Sequence, residues 1–194
     1  MNLSPLQRAI ALTALTVLLV GTSADHFGPL PNAAWAVFFL AGFYVGATRW
    51  VLPALILCAL ATDYFTVTAS GQSFWTHHCV SVAYWLLVPA YASLWYGGTW
   101  LRSRYRPEPR VLLTAAVAVL ASFTVAFTLT NGGFYWFSGR YAQPHWAEFV
   151  ERYVFYYPSY LSTMLAYTGF AALLHIQTLV LLRVFPRLTS RTTD

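Results

Sequence analysis

The chain has 194 residues, of which 58% are hydrophobic and 9% charged, with a mean hydropathy of +0.56. A water-soluble domain carries about a quarter of its residues as charges, so a fully hydrated surface cannot be built here and lipid must cover most of the exterior. The net charge of +5 comes from eleven arginines with no lysine; they gather at the ends of apolar segments, which makes the charge topogenic and excludes nucleic acid as the main partner.

About 20 apolar residues carry a helix across the hydrocarbon core. In chain order the candidate spans are 6–23, about 33–47, about 51–66, about 79–101, about 111–130 and about 159–184. The first also has the marks of a secretory leader: Arg8, an apolar stretch and the small-residue run Thr22-Ser23-Ala24. A retained helix is the expectation and a cleaved leader the alternative. The second and third spans are short, separated by Arg49 and Trp50.

Arginine placement tests the count. With the N-terminus inside, Arg8, Arg49, Arg102, Arg104, Arg106, Arg110, Arg183, Arg187 and Arg191 are cytoplasmic, against only Arg140 and Arg152 outside. Nine against two obeys the positive-inside rule, whereas five or seven spans would put the 102–110 cluster and the C-terminal cluster on opposite faces. The expected fold is an all-α membrane protein: a single domain over 1–194 with six transmembrane helices and both termini cytoplasmic. Its outer connections fall at about 24–32, 67–78 and 131–158, its cytoplasmic ones at about 48–50 and 102–110. No Walker motif or Gly-rich phosphate loop occurs, so no nucleotide is expected.

Within the last outer connection, Trp146, Phe149, Val150, Tyr153, Val154 and Tyr157 recur at helical spacing, with Glu148, Glu151 and Arg152 opposite. This predicts a separate helix over 145–157, either resting in the headgroups or walling an outward-facing pocket.

Groups able to do chemistry gather on the outer side: His26, His77, His78, His145, Cys79, Asp25 and Asp63. His77, His78 and Cys79 are consecutive, so on a helix they point about 100° apart and cannot share one ion. No HxxxH or HExxH spacing supports a protein-built zinc or copper site. Cys79 opens the fourth span beside two histidines, where backbone N–H groups favour a thiolate; the plainer reading, a small buried hydrophobe, suits Cys58. Asp63 at membrane depth needs a partner or water, through capping the next loop, pairing with Arg152 or contacting a ligand. Arg152 can equally balance Glu148 as an i, i+4 pair. His175 reads as a packed histidine bonded across helices, and Gly42 with Gly46 as a GxxxG that lets helices approach closely. Thirty-five aromatic residues exceed what two interfacial belts need. Many flank the outer connections, among them Trp35, Tyr64, Phe74, Trp75, Tyr84, Tyr135 and Trp146, and such surfaces suit a bulky flat ligand.

Six short spans in a chain near 200 residues, with a ligand-rich outer face and no ATPase motif, resemble the substrate-binding S-components of energy-coupling-factor (ECF) vitamin transporters. Within that group Trp75-Thr76-His77-His78-Cys79 resembles the BtuM-type solitary cobalamin transporters. The resemblance implies an S-component-like bundle that takes up cobalamin (vitamin B12) across a bacterial inner membrane. It implies Cys79 as axial ligand to the cobalt and as the residue assisting decyanation, with the outer loops wrapping the corrin ring. His26, Asp63, Tyr84 and Arg152 are the expected supporting contacts. The AxxxA pattern by which S-components dock the coupling subunit is absent, since Ala9, Ala11 and Ala14 are followed four residues on by Thr13, Leu15 and Leu18. That departure implies operation without the ATPase module, with a periplasmic delivery protein as a candidate partner. Competing readings are an S-component-like importer of another vitamin or a metal ion, a haem-binding membrane redox protein, for which only His175 lies deep enough, and a structural membrane subunit.

Overall fold

A computed structural model describes residues 3–23, 30–46, 48–76, 82–108 and 110–184. Among them the chain is all-helical: α1 Pro5–Ser23, α2 Ala34–Val45, α3 Val51–Ala69, α4 Leu87–Arg104, α5 Arg110–Phe137 and α6 Trp146–Val184, with short 3-10 turns at Phe74–Thr76 and Val82–Leu86. Four helices, α1, α3, α5 and α6, are long and apolar enough to cross a membrane.

α2 and α4 pack most extensively with each other and with their neighbours. α2 is apolar on every side and almost wholly buried, the pattern of a helix enclosed by others. Its contact with α4 depends on missing side chains. A Cβ on Gly42 would run into the Trp95 carbonyl, and one on Gly98 into the Phe39 carbonyl. Backbone therefore meets backbone, and Phe38 stacks flat on Tyr91 with ring centroids 4.0 Å apart. Gly46 ends α2 and faces Thr99 of α4. The GxxxG thus serves helix packing, as its spacing suggests.

Successive helices alternate in direction, giving the bundle two unlike ends. One carries the starts of α1, α3 and α5 and holds Arg8, Arg49, Arg102, Arg104, Arg106 and Arg110. The other carries the starts of α2, α4 and α6 and is rich in aromatic rings. At the aromatic end, Thr22 accepts from the Ala33 N–H at 3.0 Å and Asn32 Oδ1 from the Ala34 N–H at 2.8 Å, so side chains satisfy donors that α2 leaves open at its start.

The last two helices differ from expectation. α5 runs on to Phe137 and α6 begins at Trp146, so the connection expected over 131–158 shrinks to 138–145. The segment 145–157 is no separate interfacial helix; it is the first part of α6, which continues through Pro158. Proline removes one N–H from the ladder, and here side-chain bonds to α5 hold the helix in the turn just before it. Thr124 and Tyr157 hydroxyls lie 2.8 Å apart, and Thr128 and Tyr153 2.9 Å. The expected apolar face also divides. Tyr153 and Tyr157 pack on Phe127, whereas Trp146, Val150 and Val154 are exposed. Of the fourth span, expected from 79, the described residues begin with the 3-10 turn Val82–Leu86, and the α-helix follows from Leu87.

Candidate functional site at the aromatic end

α3 brings Asp63 to its last turns, and the 3-10 turn before α4 brings Tyr84 opposite. The Tyr84 hydroxyl donates to Asp63 Oδ2 at 2.8 Å, with both residues half-buried. A hydrogen bond to an ionised acceptor is the stronger kind, and it gives the acid one of the partners its depth requires. Phe74 is buried between Tyr64 and Tyr84, at centroid distances of 5.4 and 5.9 Å, both edge to face. Trp75 next to it stays exposed. Both flanks of the 77–81 segment are thus tied to the end of α3.

Of the five predicted site residues, Asp63 and Tyr84 come together. Arg152 joins a second cluster on α6, its guanidinium 4.8 Å from the Tyr141 ring and 5.4 Å from the Tyr156 ring. It stacks on these faces and pairs with neither Glu148 nor Asp63, so both ion pairs considered for it give way to cation–π contact. Cys79 and His26 lie outside the described residues, as do Asp25, His77 and His78.

Sequence reasoning missed a polar latch in the second cluster. Tyr135, near the end of α5, is buried; its hydroxyl accepts from the His145 N–H at 2.9 Å and lies 3.0 Å from the His145 carbonyl and 2.9 Å from Glu148 Oε2. Its single proton is shared between the two acceptors, and the group closes the 138–145 turn. Trp136, Trp146 and Phe149 pack around it, with Trp136 and Trp146 centroids 5.0 Å apart. The signal in the sequence was the aromatic density on both sides of the turn, without any pattern to single out Tyr135.

Toward the opposite end His175 is bonded across helices, as expected. Tyr105 Oη lies 2.7 Å from Nε2, and Tyr44 Oη 3.4 Å from Nδ1. Both ring nitrogens therefore have protein partners. Among the described residues no three His, Cys, Asp or Glu side chains converge as a metal site would require. Compared with known protein families and with curated proteins, the chain matches no family model and no characterised sequence.

Proposed function

We propose that the protein is an inner-membrane cobalamin importer with six spans and cytoplasmic termini, holding the corrinoid at its periplasmic end through the Cys79 thiolate. The observation that supports this reading is the anchoring of the chain before and after residues 77–81: Phe74 is clamped by Tyr64 and Tyr84, and Tyr84 is bonded to Asp63. A soft thiolate suits cobalt, and aromatic faces suit the flat macrocycle.

The sidedness rests on the arginines. Arg8, Arg49 and the 102–110 cluster share one end, which the positive-inside rule assigns to the cytoplasm; the Asp63–Tyr84 pair then faces the periplasm. Counting six spans includes α2 and α4. At about 18 Å, α2 is too short to cross alone and reaches the two faces with its flanking turns. α4 with its preceding 3-10 turn covers about 37 Å.

The chemistry asked of Cys79 is ligand exchange. Its sulfur forms a bond to Co(III) in place of an axial ligand and donates electron density that weakens the ligand opposite. If that ligand is cyanide, the Co–C bond breaks heterolytically and cyanide leaves with the electron pair, cobalt staying Co(III). Asp63, Tyr84, Arg152 and His26 are assigned supporting contacts, and a periplasmic delivery protein supplies the corrinoid. No ATPase module is assigned, given the missing AxxxA pattern on α1.

The test is to purify the protein from cobalamin-containing medium and record the visible spectrum. The wild type should carry a corrinoid with a thiolate-shifted spectrum, and Cys79→Ala should lose the shift. A Cys79→Ala protein with an unchanged bound spectrum would reject thiolate ligation, and a colourless wild type would reject the cobalamin assignment.

A further inference from the structure

A second site lies at the arginine end. α2, α4, α5 and α6 leave a cleft of about 260 Å³, lined by Phe43, Tyr105, Val111, Leu112, Gly169 and His175 among others. Its walls are almost wholly apolar. Along α5 it extends from Val111 to Val119 and along α6 from Leu165 to Ile176, about 12 and 16 Å at 1.5 Å per residue. Leu112, Leu165 and Ile176 are exposed, so the cleft opens sideways to whatever surrounds the bundle. At Gly169 the helix backbone forms the wall, and a Cβ built there meets nothing within 4 Å. The occupant must be long, narrow and apolar.

Arginines flank the cleft in the chain. Tyr105 and Val111 line the cleft, and the residues beside them in the chain are Arg106 and Arg110, both exposed. Neighbouring arginines are engaged: Arg102 donates to the Phe43 and Tyr44 carbonyls at 3.3 and 2.7 Å, and Arg104 lies 4.3 Å from the Trp100 ring. Arg106 and Arg110 make no ion pair among the described residues, even with Glu108 between them. Two uncommitted guanidinium groups beside an apolar slot at the end of a membrane bundle match one kind of molecule, an acyl chain with an anionic head.

We propose that this cleft binds one anionic phospholipid, with an acyl chain between α5 and α6 and the headgroup phosphate on Arg106 and Arg110. The site stands apart from the corrinoid reading and does not depend on it. The lipid fills the space beside α6, the helix with the least buried surface of the four long ones, and so fastens it to the bundle.

The experiment is native mass spectrometry of the full chain in detergent, titrated with phosphatidylglycerol or with phosphatidylcholine of the same acyl chains. Phosphatidylglycerol should bind more tightly. Arg106→Gln and Arg110→Gln should each weaken it about fivefold and leave phosphatidylcholine unchanged. Gly169→Phe should weaken both lipids by filling the slot, while Gly21→Phe, equally open but on α1, should weaken neither. Equal affinity for the two lipids, or indifference to both arginine variants, overturns the headgroup assignment. Lipid binding untouched by Gly169→Phe places the lipid elsewhere. Loss of a dimer with Gly169→Phe, with no loss of lipid, makes the cleft a contact between copies and overturns the proposal. The arginine variants change exposed side chains only, so they remain informative if Gly169→Phe fails to fold.

Discussion

Tyr84 donates its hydroxyl proton to Asp63 at 2.8 Å, joining the turn before α4 to the end of α3 across 21 residues of chain. Hydrogen bonds to charged groups contribute about 1.5–3 kcal/mol, so Tyr84→Phe should lower stability by roughly that amount. Asp63→Asn keeps the shape and an acceptor oxygen but loses the charge, and should cost less than Tyr84→Phe. Thermal unfolding of the single and double variants in detergent measures this. A double variant whose loss equals the sum of the two singles would show that the pair is not coupled.

The α2–α4 contact makes a sharper prediction. Gly98→Ala directs a methyl group at the Phe39 carbonyl, and Gly42→Ala directs one at the Trp95 carbonyl. Backbone cannot rotate aside as a side chain can, so the helices must separate. Overpacking of this kind costs about 1–3 kcal/mol. Gly21→Ala on α1 is the control: its Cβ meets nothing within 4 Å, and removing a helical glycine there should gain up to about 1 kcal/mol. Melting temperatures should therefore move in opposite directions. If all three variants shift together, the close approach of the two helices is wrong.

The sequence made the four long apolar helices legible because lipid imposes a simple rule, long apolar runs with arginines at one set of ends. It concealed where α6 begins. Glu148, Glu151 and Arg152 read as the polar side of a separate helix over 145–157, yet Glu148 is taken up by Tyr135 and Arg152 by two aromatic faces, and the helix runs on through Pro158. Asp63 was legible as an acid needing a partner. Its partner Tyr84 was legible only as a residue of the right end, since no spacing rule connects positions on separate elements. Tyr105 went unnoticed for the same reason: its role is defined by His175, seventy residues away.

His175 provides a graded test of polar bonding within the bundle. Its Nε2 contact with Tyr105 is 2.7 Å, and its Nδ1 contact with Tyr44 is 3.4 Å. Hydrogen bonds between membrane helices contribute about 0.6 kcal/mol on average, and shorter ones more. Tyr105→Phe should therefore cost about 1 kcal/mol, and Tyr44→Phe less than half as much. Chemical denaturation in mixed micelles ranks the two. A larger loss from Tyr44→Phe would mean that the imidazole is held mainly through Nδ1, contrary to the geometry.

The Tyr135 latch should govern the motion of the turn it closes. Its hydroxyl is the acceptor for the His145 N–H and lies within bonding distance of the His145 carbonyl and Glu148. Tyr135→Phe retains the ring, which stays packed against Tyr141 and Phe149 at centroid distances of 4.6 and 5.5 Å, and removes only the polar contacts. The first turn of α6 then loses an anchor while the aromatic packing survives. Amide hydrogen exchange should rise about tenfold at His145 and Glu148, the effect of one modest hydrogen bond, and stay unchanged in α2 and α4. Trp136→Ala should act differently, loosening α5 and α6 together, because it removes the α5 ring that packs on both Trp146 and Phe149 of α6. Equal exchange in Tyr135→Phe and wild type would mean that the rings alone hold the turn, and the hydroxyl would then have no part in fixing where α6 begins.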